Sequence, residues 1–113
     1  MSEKIERLTL AKAITRGLED AMEADRTVVM LGEDIGKLGG VYRVTEGLQA
    51  RFGNRRVMDA PLSESGIIGT SIGMALRGYR PVPEIQFDGF VFPAYNQITS
   101  QLAKIQNRTD KQY

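Results

Sequence analysis

One carboxylate stands where proton chemistry is possible: Glu64, in the run Asp59-Ala60-Pro61-Leu62-Ser63-Glu64-Ser65-Gly66-Ile67-Ile68-Gly69. The run reads as a strand end, a tight bend at Pro61 and a helix start capped by Ser63. A Glu in the first turn of a helix also complements the positive end of the helix dipole, and that role needs no ligand. The chemical role needs partial desolvation, which raises a carboxyl pKa and lets the group hold or relay a proton near neutrality. The apolar residues and glycines that follow favour such a setting, so both readings stand. The 113 residues include no histidine and no cysteine. That excludes a thiolate nucleophile, a disulfide framework and a Cys-ligated metal, and removes the commonest general base. Acid–base work falls to Asp, Glu, Lys or Tyr, or to a partner chain.

The totals describe an ordinary globular domain, with 26% charged and 42% hydrophobic residues. A net charge of +1 gives no electrostatic case for nucleic acid or an anionic membrane. The start, Met1 to Arg7, is charged and lacks an apolar core, so it is neither a signal peptide nor a transit peptide. No apolar run approaches membrane-spanning length. A cytoplasmic protein is the expectation.

The elements that must position Glu64 follow from periodicity. Residues 1–8 read as a charged lead-in. Thr9 caps a helix whose buried stripe is Leu10, Ile14, Leu18 and Met22, with Ala13, Gly17 and Ala21 beside it, ending near Asp25. Val28 to Leu31 reads as a strand buried on both faces, ended by Gly32-Glu33-Asp34. After a glycine-rich loop, Thr45 is expected to cap a short helix with Leu48 and Phe52 inward and Gly53 as its stop. Arg56 to Asp59 is the second strand. Ser63 opens a third helix to about Arg77, with Gly78 as its stop. Val82 to Phe87 is the third strand, and Pro83 within it favours an edge. A turn at Asp88-Gly89 leads to a fourth helix with Pro93 in its first turn and Tyr95, Ile98, Leu102 and Ile105 as its apolar stripe. Residues 107–113 read as a frayed or disordered end. Alternating helices and strands make an α/β domain with a parallel sheet flanked by helices. Ligands bind such sheets at the carboxyl ends of the strands, so the loops 32–44, 59–65 and 87–93 are where a site belongs.

The remaining constellations divide similarly. Gly66, Gly69 and Gly73 share one face of the third helix and cost roughly 1 kcal/mol each relative to Ala. Tight packing within the domain and an interface with a second, similar helix both account for them. The loop Gly32 to Gly40 has neither the Gly-Lys-Ser/Thr of a P-loop nor the dinucleotide spacing, and Glu33 and Asp34 repel phosphate. It reads as a flexible connection. In Glu84 to Phe92, alternation sets Glu84 and Gln86 opposite Ile85 and Phe87. Phe90 and Phe92 fit either a core or a stack on a flat heterocycle. Arg55-Arg56 and Arg77/Arg80 read as solvated.

Taken together, Gly32 to Gly36, Gly39 to Leu48, Pro61 to Gly69, Gly78 to Phe87 and Phe92 to Ile98 resemble one family across about residues 8 to 109. It is the N-terminal part of the beta subunit of thiamine-diphosphate-dependent 2-oxo acid dehydrogenases, of branched-chain or pyruvate type. The resemblance implies a truncated pyrimidine-binding domain of the transketolase type over 9–109, with 110–113 as a divergent tail. It also implies a cofactor, thiamine diphosphate, shared between chains. The alpha subunit holds magnesium and the diphosphate, and the beta chain holds the aminopyrimidine. By motif position Glu64 faces the ring nitrogen as the catalytic carboxylate. Leu62, Gln86 and Phe90 line the ring, with Phe90 stacking, and this chain holds no metal. The implied partners are the alpha subunit and a second beta subunit, in a heterotetramer, and the lipoyl acyltransferase core of the complex. The implied reaction is oxidative decarboxylation of branched-chain 2-oxo acids with acyl transfer to lipoyl groups. Pyruvate, another transketolase-type thiamine enzyme, and a non-catalytic assembly module are the alternatives. Ala60 departs from the threonine usual before Pro61, which is expected to loosen the bend. The family's second domain and its substrate-handling histidine have no counterpart in these residues, so the chain alone is expected to be inactive.

Overall fold

The computed structural model describes residues 4–113; the first three residues of the lead-in lie outside the described residues. Eight main elements follow in order: α1 (Leu10–Ala24), β1 (Val28–Gly32), α2 (Leu48–Phe52), β2 (Val57–Asp59), α3 (Glu64–Leu76), β3 (Arg80–Pro83), α4 (Val91–Asn96) and α5 (Ile105–Arg108). The strands form one parallel sheet in the order β2-β1-β3. β1 is central and buried along its whole length. Its even residues bond to β2 and its odd ones to β3: the Met30 N–H donates to the Arg56 carbonyl, and Arg80 N–H and Glu84 N–H donate to Thr27 and Leu31. One face of β1, Val28 and Met30, joins Met22, Ile35, Leu48 and Val57 in the core, with Leu18 and Phe52 packed against it. The other face is covered by α3, which also packs on β3 and α4.

The caps read from the sequence are in place. Thr9 Oγ1 accepts from the Lys12 N–H (3.2 Å), Ser63 Oγ accepts from the Gly66 N–H (3.2 Å), and Gly53 ends α2 at φ 89°. Four local expectations are corrected. Of the α1 stripe only Met22 is fully buried; Leu10 is 79% and Ile14 43% exposed. A 15-residue helix is about 22 Å long, and only its C-terminal turns overlie so short a sheet. Thr45 does not cap α2. Gly47 holds that position, and Thr45 is buried with its hydroxyl donating to the Ile35 carbonyl (2.8 Å). β3 begins earlier and ends at Pro83, because β1 stops at Gly32 and leaves Ile85 to Phe87 no strand to pair with. The fourth helix is not one regular stripe. A π-helical turn at Gln97–Gln101 and a 3-10 turn at Leu102–Lys104 separate α4 from α5, Tyr95 and Leu102 are exposed, and Arg108 is still helical.

Arg56, expected in solvent, is half-buried and structural. Its Nη2 donates to the Met22, Asp25 and Val28 carbonyls at 2.6, 2.9 and 2.9 Å, and its guanidinium lies 5.0 Å over the Phe52 ring. It thereby satisfies carbonyls at the end of α1, where cations also suit the dipole. On α3, a Cβ at Gly69 would meet Gln97 Oε1 at 3.3 Å, so close packing accounts for that glycine. Gly66 is contacted by its own cap residue Ser63, Gly73 by nothing within 4 Å, and nothing in the structure explains the missing side chain at Gly73.

β3 is an edge strand among the described residues. Its inward-bonding residues are Arg80, Val82 and Glu84, so residues 81 and 83 point their backbone groups outward, and both are proline. The open edge therefore offers carbonyls and no N–H, which blocks a full ladder with another strand. Pro83→Val is expected to restore a donor there and to raise concentration-dependent self-association in sedimentation velocity. In the core, Leu48→Ala is expected to cost about 2–5 kcal/mol in urea unfolding, as for a fully buried leucine.

Candidate functional site

The three strands run in one direction, so their carboxyl ends deliver three loops to the same edge of the sheet. The first loop is not a flexible connection. Thr45 ties it to Ile35, the Thr15 hydroxyl donates to the Val44 carbonyl (2.7 Å), and the Gly40 N–H donates to the Asp34 carbonyl (2.8 Å). Asp59, the last residue of β2, accepts the Gly36 N–H on Oδ1 at 2.8 Å. A Cβ at Gly36 would displace the Asp59 carboxylate and the Gln49 amide from their present places, so glycine lets Asp59 close on the loop. The Ala60 N–H donates to the Gly32 carbonyl (2.8 Å). The bend before Glu64 is thus held by backbone and by Asp59, and Ala60 in place of threonine does not undo either tie.

This clamp sets Glu64, first residue of α3, beside Glu33, first residue after β1. Glu33 is buried, 7% exposed. Its carboxyl is held above the ordinary carboxylate range by burial first, then by the negative charges of Glu64 and Asp34 and a hydrogen bond to Glu64. A hydrogen bond between two carboxyls requires a proton on one of them. Glu33 therefore holds a proton more tightly than a solvated carboxyl does. Glu64 itself is half-buried. Gln86 reaches the same place: its Nε2 donates to the Glu33 backbone carbonyl at 3.4 Å.

The other two residues named from the sequence lie at the rim. Leu62 is 78% exposed, on the outside of the bend. Phe90 is exposed and meets Phe87 edge to face at 5.3 Å, and Phe87 in turn meets Tyr42 at 5.7 Å. A cleft of about 350 Å³ lies on the α3 side of the bend, lined by Leu31, Ala60, Pro61, Ser63 and Ile67. None of Leu62, Glu64, Gln86 and Phe90 lines it, so the site is an open rim. Glu33 is the functional group that sequence reasoning passed over. In sequence it reads as a phosphate repellent at a strand end, and its burial comes from the loop folded over it.

The donor set fits the flat ring half of thiamine diphosphate: two neighbouring carboxyls, an amide and an aromatic edge. Among the described residues no group of acidic side chains is placed to hold a metal ion, and no helix is long and apolar enough to cross a membrane.

Because the folded Glu33 binds its proton more tightly than the unfolded chain does, folding takes up a proton as pH rises above about 4.5, and stability falls through that window. Glu33→Gln is expected to flatten this part of the fall, measured as urea unfolding midpoints across pH. Asp59→Ala is expected to cost about 1 kcal/mol and to speed hydrogen exchange at the Gly36 amide.

Comparison with known proteins gives the family of the chain. Residues 6–110 match the family described as transketolase, pyrimidine binding domain. The chain is 61% identical over 105 residues to the pyruvate dehydrogenase E1 component subunit beta of Leifsonia xyli, covering 93% of this chain and 31% of that protein. It is 55% identical over 109 residues to the 3-methyl-2-oxobutanoate dehydrogenase subunit beta of Mycobacterium tuberculosis, covering 96% and 31%. It is 47% identical over 102 residues to the 2-oxoisovalerate dehydrogenase subunit beta of Pseudomonas aeruginosa, covering 90% and 29%. The chain spans less than a third of the length of each of these curated relatives. A parallel sheet with its acidic rim at the strands' carboxyl ends, matched along nearly its whole length, belongs to the transketolase pyrimidine-binding domain family.

Proposed function

We propose that this chain is the aminopyrimidine-holding part of a beta subunit of a thiamine-diphosphate-dependent 2-oxo acid dehydrogenase. The observation that carries the reading is the Glu33–Glu64 carboxyl pair, set at the carboxyl ends of the strands by the Asp59–Gly36 tie. When bound, the cofactor supplies the electron sink for decarboxylation. The chain's own work is narrower. Glu64 presents a carboxyl to a nitrogen of the ring, with Glu33 behind it to hold a proton. Gln86 fixes the Glu33 backbone and offers its amide to the ring's edge. Leu62 and Phe90 cover the ring from the rim.

Half a site is present, and its partner completes it. The alpha subunit supplies the diphosphate and magnesium ligands, a second beta subunit completes the heterotetramer, and the acyl group passes to lipoyl groups of the acyltransferase core. The site and its neighbours are rich in exposed apolar side chains, Leu62, Phe87, Phe90 and Phe92 among them, as a subunit interface requires. The segment Glu84 to Phe87 favours branched-chain 2-oxo acids. Pyruvate is the second reading, favoured equally by the names of the relatives.

In a beta chain carrying this sequence, assembled with its alpha subunit, Glu64→Gln is expected to lower decarboxylation by about 10²–10⁴-fold. Size-exclusion chromatography of the assembly should be unchanged. Undiminished turnover would sink the role assigned to Glu64. Rates with pyruvate and with branched-chain 2-oxo acids decide the substrate.

A further inference from the structure

A third carboxyl belongs to this corner and has no assigned part. Glu84 is the first residue past β3, and its N–H donates to the Leu31 carbonyl (2.9 Å). Its stem packs on the end of β1 so closely that a Cβ on Gly32 would lie 3.1 Å from Glu84 Cβ. The side chain then runs under the glycine loop, where Oε1 would be 3.7 Å from a Cβ on Gly40. Oε2 is buried and has no hydrogen-bond partner.

The groups facing Glu84 explain which protonation state this place accepts. From the β1 end comes the carboxyl of Glu33, a like charge; Asp34 and Glu64 bear on Glu33 in turn. The glycine loop contributes Gly40 and Thr45, which are uncharged, and Arg43 is exposed with its guanidinium on the Leu38 carbonyl. Gln86, next along its own segment, is neutral. No cation among the described residues forms an ion pair with Glu84. An ionised carboxylate with a buried, unbonded oxygen and no counter-charge is costly, and a proton on it leaves only the smaller cost of an unbonded neutral group. Burial first, then the Glu33 charge, push the Glu84 carboxyl above the ordinary range.

We propose that Glu84 is a positioning residue that works as a neutral carboxyl, filling the gap between β1 and the glycine loop and holding Glu33 beneath Glu64 without adding a charge. This rests on the reading of Glu64 as the group that serves the bound ring. Neutral Glu84 spares Glu33 and Glu64 a third negative charge that would prise the loops apart.

The test compares Glu84→Gln, which keeps shape and neutrality, with Glu84→Ala, which keeps neutrality but not shape. In the chain itself, Gln is expected to unfold as the wild type does at acid pH and to lose part of the fall in stability as pH rises above about 4.5. In the assembled enzyme at saturating cofactor, Ala is expected to lower kcat about tenfold to a hundredfold, with Gln restoring most of it and flattening the alkaline limb of the kcat profile. If Gln is as damaging as Ala, the ionised form is needed and the proposal is overturned. It is also overturned if neither variant moves kcat or the pH dependence. Glu64→Gln in the same assay separates the two ideas. If that variant keeps full turnover, the functional reading has failed; if it is inactive while the Glu84 outcomes go wrong, only this proposal has.

Discussion

Everything in this domain hangs on β1. It is buried on both faces and bonded on both edges, so its ends are the best-defined points in the fold. Because its neighbours run parallel to it, three chain exits crowd round Gly32. A Cβ there would lie 2.9 Å from Ile35 Cγ2 and 3.1 Å from Glu84 Cβ, which shows how little room the exits leave one another. Polar groups at those exits cannot be solvated freely. Glu33 follows β1 at once, Glu84 follows β3 at once, and Glu64 follows β2 by one short bend. Parallel topology, rather than any local motif, gathers the three carboxyls.

That origin explains what was legible in the residues alone. The position of β1, the Thr9, Ser63 and Gly53 caps, and the bend before Glu64 depend on near neighbours in sequence, and each is where spacing places it. The misreadings are all long-range. Arg56 looks like half of a surface pair until α1 brings three carbonyls to it. Thr45 has the residue type of a cap, yet its hydroxyl is spent on Ile35, ten residues back. The α1 stripe is correctly periodic but longer than the sheet beneath it. The third strand stops where its partner stops, and no pattern within Val82 to Phe87 records where β1 ends.

The candidate site was legible in the same uneven way. Glu64 announces itself through the bend and the cap. Glu33 and Glu84 do not, because a lone acid beside an apolar strand is indistinguishable in sequence from a solvated strand end. Their significance comes from burial, and burial of Glu33 comes from the loop that Thr15, Thr45 and Asp59 fold down over it.

Clustering three acids in one corner needs a source of stability, since like charges at low dielectric repel strongly. The usual answer, a buried arginine or lysine, is absent among the described residues. The half-buried Arg56 is committed to the Met22, Asp25 and Val28 backbone carbonyls, at the other end of β1 from the site. The remaining answer is protons. Burial and neighbouring acids push Glu33 and Glu84 above the ordinary carboxylate range, so both hold protons more tightly than solvated carboxyls do, and Glu84 Oε2 has no hydrogen-bond partner. A site stabilised by protons instead of counter-charges keeps its acids available to a ligand nitrogen, which a salt bridge would not. The same arrangement makes the corner sensitive to rising pH, so the burial that raises Glu33 and Glu84 also sets the direction in which the fold weakens.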